Sequence, residues 1–111
     1  MKISEQHQGA VTVLKPEGPL IDADADKFKA TAINVARQTL GRVVIDMSAI
    51  PFVDSKGLES LLDVTDALGQ SGHTLKICAI SKTVREVLEL TELVSSFEHF
   101  VDVNSAVRSF L

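Results

Sequence analysis

The sequence has no tryptophan and no tyrosine, a single cysteine and only three prolines. With five Phe as the whole aromatic complement, it lacks the stacking platforms on which RNA and single strands are commonly read. A lone Cys78 cannot close an internal disulfide, so nothing in the chain calls for an oxidising compartment. No apolar run approaches the roughly 18–20 residues needed to span a bilayer, and the opening stretch Met1–Ala10 lacks the apolar heart of a signal peptide. The 11 Lys+Arg against 15 Asp+Glu give a net charge of −4, the wrong sign for a nucleic-acid or anionic-membrane surface. The expectation is a cytoplasmic, soluble protein with no nucleic-acid partner and no membrane insertion.

What is there suffices for one domain spanning residues 1–111, because 45% hydrophobic content in 111 residues buries a core without disulfide or metal staples. The same content, with so small a net charge, excludes intrinsic disorder. Residues 2–6 and 9–15 read as strands around a Gln8-Gly9 turn, with Val11 and Val13 on one face and Thr12 and Leu14 on the other. Pro16, Gly18 and Pro19 are expected to end the second strand. Asp22, Asp24 and Asp26 then open a helix with Asp24 as its expected N-cap. Its apolar face is Ala25, Phe28, Ala32, Val35 and Ala36, and Leu40-Gly41 closes it.

Arg42–Met47 is continuous and β-branched, as a strand covered on both faces reads. A second helix follows, with Leu58, Leu61, Leu62, Thr65 and Leu68 on its face, and stops at Gly69–Gly72. Leu75–Ile80 gives a further strand. Ser81 caps a third helix carrying Val84, Val87, Leu88 and Thr91. Phe97–Val101 and Asn104–Leu111 supply a last strand and helix. The order ββαβαβαβα predicts an α/β domain with a mostly parallel central sheet flanked by helices.

In such a sheet, ligands and reactive groups gather beyond the carboxyl ends of the strands, here Gly18–Asp26, Ser48–Gly57 and Ile80–Thr83. The middle stretch sets Asp54 and Ser55 at the mouth of a helix. Asp54 as N-cap alone explains much of this, since its carboxylate satisfies otherwise unpaired N–H groups for about 0.5–2 kcal/mol. Two neighbours do not fit capping alone. Lys56 lies near the positive end of the helix dipole, and Gly57 gives up about 1 kcal/mol of helix propensity. Both suit a place where something approaches the backbone closely. A phosphoryl group on Ser55 would add about −1.5 to −2 charges beside free helix N–H donors. It would change the surface next to Asp54 without unfolding the helix, and would disturb any apolar contact made by Phe52 or Leu58. Phe52, like Phe28, otherwise reads as a packing residue.

Other chemistry is poorly supported. Asp22-x-Asp24-x-Asp26 imitates the start of a calcium loop, but Lys27 stands at the required glycine and Ile33 at the twelfth position. His7, His73 and His99 have no ligand spacing and read as surface or turn residues. The G-x-S-x-G elbow, the GxGxxG fingerprint and the P-loop are missing. Cys78 lies in an apolar strand, where an inert thiol is the natural reading. No catalytic set, metal or cofactor is expected.

The strand Val43–Ser48 followed by Ile50-Pro51-Phe52-Val53-Asp54-Ser55-Lys56-Gly57-Leu58 resembles the signature of the STAS domain, the family of bacterial anti-sigma factor antagonists. Glu17–Asp22 resembles that family's G-x-[IL]-[DT] turn, and Gly72–Cys78 its G-x-x-[LF]-x-[LIV] strand. Ser81–Leu93 is similar to its third helix, so the likeness covers nearly the whole chain. The resemblance implies partner switching: the antagonist binds an anti-sigma factor that is also its serine kinase, phosphorylation ends the binding, and a serine phosphatase restores it. It implies Ser55 as phosphoacceptor, preceded by Asp54 and followed by Gly57 and Leu58 at the helix start. The implied partner surface comprises Gly18, Leu20, Asp22, Asp54, Ser55, Lys56, Gly57, Leu58 and Leu61. The position after the acceptor is commonly Ser, Thr or Ala in the family. Lys56 in its place is expected to pair with Asp54 or a phosphate, or to hinder a kinase. Two other functions stand beside the switch. One is a constitutive scaffold or accessory subunit of a signalling or transport complex. The other is an enzyme or nucleotide-binding protein on a small α/β fold; a phosphoacceptor receiver domain of that kind needs clustered acids and a late lysine, which Asp46 alone fits poorly.

Overall fold

Side-chain alternation along the second strand divides the interior into two cores. The computed structural model describes residues 1–111. The strands are β1 (Lys2–Gln8), β2 (Val11–Glu17), β3 (Val43–Asp46), β4 (Lys76–Cys78) and β5 (Glu98–Phe100), and the helices are α1 (Asp22–Gln38), α2 (Ser55–Gly69), α3 (Lys82–Leu90) and α4 (Val103–Arg108). A short 3-10 turn, Val94–Ser96, precedes β5. The order is the expected ββαβαβαβα. All strands lie side by side in sequence order. β1 is antiparallel to β2, and every later neighbour is parallel. The sheet is therefore mixed, mostly parallel with an antiparallel hairpin at one edge.

Because each new parallel strand is added on the same side of the last, right-handed crossovers place α1, α2 and α3 on one face of the sheet. Leu14, Val43, Ile45 and Ile77 meet Phe28, Leu61, Val64 and Leu88 there. Val11, Val13, Val44 and Cys78 point to the opposite face and are covered by Ala106 of α4, with Phe100, Val107 and Phe110 alongside. β3 and β4 are thus sealed on both sides, which is why their residues read as unbroken apolar runs. A helix as short as α4 has no independent stability. Lys76 fastens it: its ammonium lies 3.1 Å from Glu98, donates to Ser109 Oγ at 2.8 Å and sits 4.6 Å from the Phe110 ring centroid.

The structure corrects several expectations. The hairpin turn is Gly9-Ala10, and β2 runs through Pro16 to Glu17. Thr12 and Gly18 donate their N–H groups toward Arg42 and Ala49, and Pro16 has the same phase between them. The ladder with β3 has already ended at Leu14–Ile45, so proline forfeits no bond. α1 begins at Asp22, not after Asp24. Ile21 occupies the cap position without a side-chain bond, and Asp24 faces the Met1 amino group at 3.0 Å. The buried face of α1 is the expected set, Ala25, Phe28, Ala32, Val35 and Ala36. In α2 the face is rotated: Gly57, Ser60, Leu61, Val64 and Leu68 are buried, while Leu58, Leu62 and Thr65 are half-buried. The small residues Gly57 and Ser60 admit backbone that a leucine stripe would exclude. Phe52 is 45% exposed and is not a packing residue, whereas Phe28 is fully buried.

Cys78 is buried beneath α4, and burial, with the charges of Asp46 and Asp102, pushes its thiol up to about 12. At pH 8 only about one thiol in ten thousand is then ionised. The native protein is expected not to react with Ellman's reagent, and one thiol is expected to titrate in denaturant; rapid labelling of the native state would contradict this. The unfolded thiol ionises near the ordinary cysteine value of 9.0. The unfolded chain therefore releases a proton that the folded chain keeps, and stability is expected to fall as pH rises from about 9 toward 12. Thermal melts of the wild type against Cys78→Ala over that window read the difference.

Candidate functional site

Beyond the carboxyl ends of β2 and β3, the two connecting segments are stitched together by backbone. Gly18 N–H donates to the Ala49 carbonyl at 3.0 Å, and Leu20 N–H to the Phe52 carbonyl at 3.1 Å. Asp54 N–H returns to the Leu20 carbonyl at 3.3 Å, and Leu20 and Val53 form a parallel bridge outside the named strands. The sheet is in effect prolonged past its edge, which carries the starts of α1 and α2 side by side.

Asp54 closes this arrangement. One carboxylate oxygen accepts from Gly57 N–H at 2.8 Å, the N-cap bond foreseen from sequence. The other accepts from Asp22 N–H at 3.2 Å. One side chain therefore ties together the first turns of both helices. Asp22 has a left-handed φ of 46°, unfavourable by about 1–2 kcal/mol for a residue with a Cβ. The bond from its N–H to Asp54 offsets part of that cost.

Gly57 answers the question raised by its poor helix propensity. A Cβ at that position would overlap the Leu20 carbonyl oxygen and press on Val53. What approaches the backbone closely is thus the protein's own Leu20 segment. Ser60, one turn on, is buried and donates to the Gly57 carbonyl at 2.7 Å, which steadies the same turn. Nothing in the sequence singled out Ser60, although a small polar residue one turn after a first-turn glycine is the available signal.

Ser55 is the first residue of α2 and is exposed. The N–H groups of Ser55 and Lys56 have no acceptor within the chain, leaving donors beside the Ser55 hydroxyl. Lys56 does not pair with Asp54. Its ammonium lies 3.4 Å from Asp26 of α1, with both side chains more than half exposed, a pairing worth about 0–1 kcal/mol. Leu58 is half-buried against the main core. Leu20 and Leu61, expected on the partner surface, are fully buried at 0% exposure. They shape the site from beneath and offer no surface to a visitor. The exposed apolar group is Phe52, two residues before Asp54. In the third candidate stretch, Ser81 spends its hydroxyl on the α3 N-cap, accepting from Val84 N–H at 3.1 Å, and no group of His, Cys, Asp and Glu is arranged to hold a metal.

The STAS domain family model matches residues 2–106. The chain is a STAS domain. It is 27% identical over 97 residues to BtrV of Bordetella bronchiseptica, a protein named as an anti-sigma factor antagonist, covering 87% of this chain and 84% of that one. Its fold is similar to that of the anti-sigma factor antagonist SpoIIAA in its unphosphorylated form, with TM-score 0.77 at 17% identity over 98% of this chain and 96% of that one. It is also similar to part of the murine Slc26a9 anion transporter in the inward-facing state, with TM-score 0.76 at 19% identity over 95% of this chain and 18% of that one. No helix of this STAS domain is long and apolar enough to cross a membrane.

Gly57→Ala is expected to destabilise the domain by about 1–3 kcal/mol, because overlap with a backbone carbonyl outweighs the gain of about 1 kcal/mol in helix propensity. Asp54→Ala is expected to cost about 1–2 kcal/mol through the lost cap and the freed Asp22 N–H. Urea unfolding midpoints at unchanged slope measure both, and a Gly57→Ala variant as stable as wild type would refute the close approach.

Proposed function

We propose that this STAS domain is an anti-sigma factor antagonist working by partner switching, a binding protein rather than an enzyme. In its unmodified form it binds an anti-sigma factor that is also a serine kinase; phosphorylation of Ser55 releases it, and a serine phosphatase restores binding. The observation that carries this reading is an exposed hydroxyl on the first residue of α2, next to two unpaired N–H groups. A phosphoryl group there gains those donors and the helix dipole, so its about −1.5 to −2 charges are accommodated by the fold. The charge is instead felt by whatever docks. In this reading the docking surface around Ser55 comprises Gly18, Asp22, Asp54, Lys56 and half-buried Leu58, with Phe52 as the apolar contact, while buried Gly57 supports it from within. The name of BtrV and the likeness to unphosphorylated SpoIIAA support the same reading.

A second reading, a constitutive accessory subunit without phosphoswitching, is favoured by Lys56, which puts a long cation beside the acceptor, and by the likeness to part of an anion transporter. One variant series separates the two. Ser55→Asp is expected to be as stable as wild type or more stable by about 0.3–1 kcal/mol, since a carboxylate at a helix start is favourable. It is expected to bind the host's anti-sigma factor kinase at least about tenfold more weakly than wild type and Ser55→Ala do. Equal binding by all three proteins would leave the accessory role.

A further inference from the structure

We propose that the cleft between the C-terminal ends of α1 and α2 binds a small aliphatic carboxylate. The cleft lies at the far end of these helices from Ser55 and has a volume of about 670 Å³, within the range of about 300–1,000 Å³ typical of small-molecule sites. Ile33, Leu40 and Leu68 give it aliphatic walls, and Arg37, Ser71 and His73 supply polar groups.

The charge distribution points to an anion. The protein as a whole carries −4, yet no acidic residue lines this cleft. Neither Arg37 nor His73 pairs with a carboxylate. The side chains of Arg37, Ser71 and His73 donate to no group of the protein. Helix C-termini ordinarily repel anions. Here the carbonyls of Val35, Ala36 and Leu68 are already taken by the N–H groups of Thr39, Gly41 and His73, which blunts that repulsion.

Backbone geometry builds the walls. Gly41 has φ +87°, and a Cβ on it would come within 2.7 Å of His73 Cδ2, so the absent side chain is what lets the imidazole lie against the cleft. Leu40 adopts a left-handed φ of 56° and stays 72% exposed, holding an aliphatic group at the rim. The planar fork of a single guanidinium matches a carboxylate in bidentate fashion. The same fork also fits a phosphate, but phosphate sites add donors from a helix N-terminus or a nest of N–H groups, which the cleft lacks. The aliphatic walls of Ile33, Leu40 and Leu68 suit the apolar tail of a carboxylate.

The test is titration of the ¹⁵N-labelled full chain with sodium octanoate, 1-octanol and inorganic phosphate in parallel. Octanoate is expected to shift the amides of Leu40, Gly41 and His73 saturably, with a Kd below about 1 mM. Octanol and phosphate are expected to bind at least about tenfold more weakly, and Arg37→Gln to weaken octanoate about tenfold while leaving the remaining amide spectrum unchanged. No saturable shift with octanoate, equal affinity for octanol, or an Arg37→Gln variant that binds like wild type would each overturn the proposal. None of these outcomes bears on Ser55, which lies at the other end of α2.

Discussion

Leu20 carries the constraint from which the site follows. Its carbonyl oxygen accepts from Asp54 N–H and occupies the space a Gly57 side chain would need, so the segment after β2 and the first turn of α2 are locked at van der Waals distance. The leucine side chain is fully buried beneath and anchors this contact with apolar burial worth about 1.5–3 kcal/mol. With Leu20 fixed, Asp54 can reach Gly57 N–H and Asp22 N–H at once. The backbone on either side of Ser55 is thereby held in a set position, the preorganisation that the proposed docking would need to keep its cost low.

This arrangement separates the groups that hold the fold from those left at the surface. Asp54, Gly57, Leu20 and Ser60 hold the scaffold, and their interactions point inward or between the two helix starts. Ser55 and Phe52 point outward, and Ser55 makes no bond that the fold depends on. A charge added to its hydroxyl therefore alters the surface while leaving the capping geometry intact. The Lys56–Asp26 pair lies on the exposed side and belongs with the surface groups.

The two-sided burial of β3 and β4 has a related effect. One face of the sheet is packed by three helices and the other by the short α4, held down through Lys76. The carboxyl ends of β2 and β3 thus project from a rigid layer, and the connecting segments, not the strands, are left to carry function. The α1–α2 pair also forms the cleft at its opposite end, so one helix pair presents two chemically distinct surfaces.

Much of this was legible in local pattern. The alternation Val11-Thr12-Val13-Leu14 assigned the first four residues of β2 to opposite faces as observed, the spacing Ala25–Phe28–Ala32–Val35–Ala36 marked the buried stripe of α1, and Asp54 read as an N-cap, because strand period, helix period and capping are properties of a few consecutive residues. The misreadings arose where a distant segment intervenes. Pro16 stays in its strand because the ladder with β3 has already ended; Asp24 yields its capping role because α1 starts three residues earlier than that cap implies; α2 turns its Gly57–Ser60 side inward because Leu20, far away in sequence, needs the room. Periodicity and composition thus specified the element order, the sheet class and the exposed serine at a helix mouth. Long-range packing alone settled which residue approaches Gly57, which amide shares the Asp54 carboxylate and that two of the expected surface leucines, Leu20 and Leu61, are core, since those contacts are made between parts of the chain that local preference does not bring together.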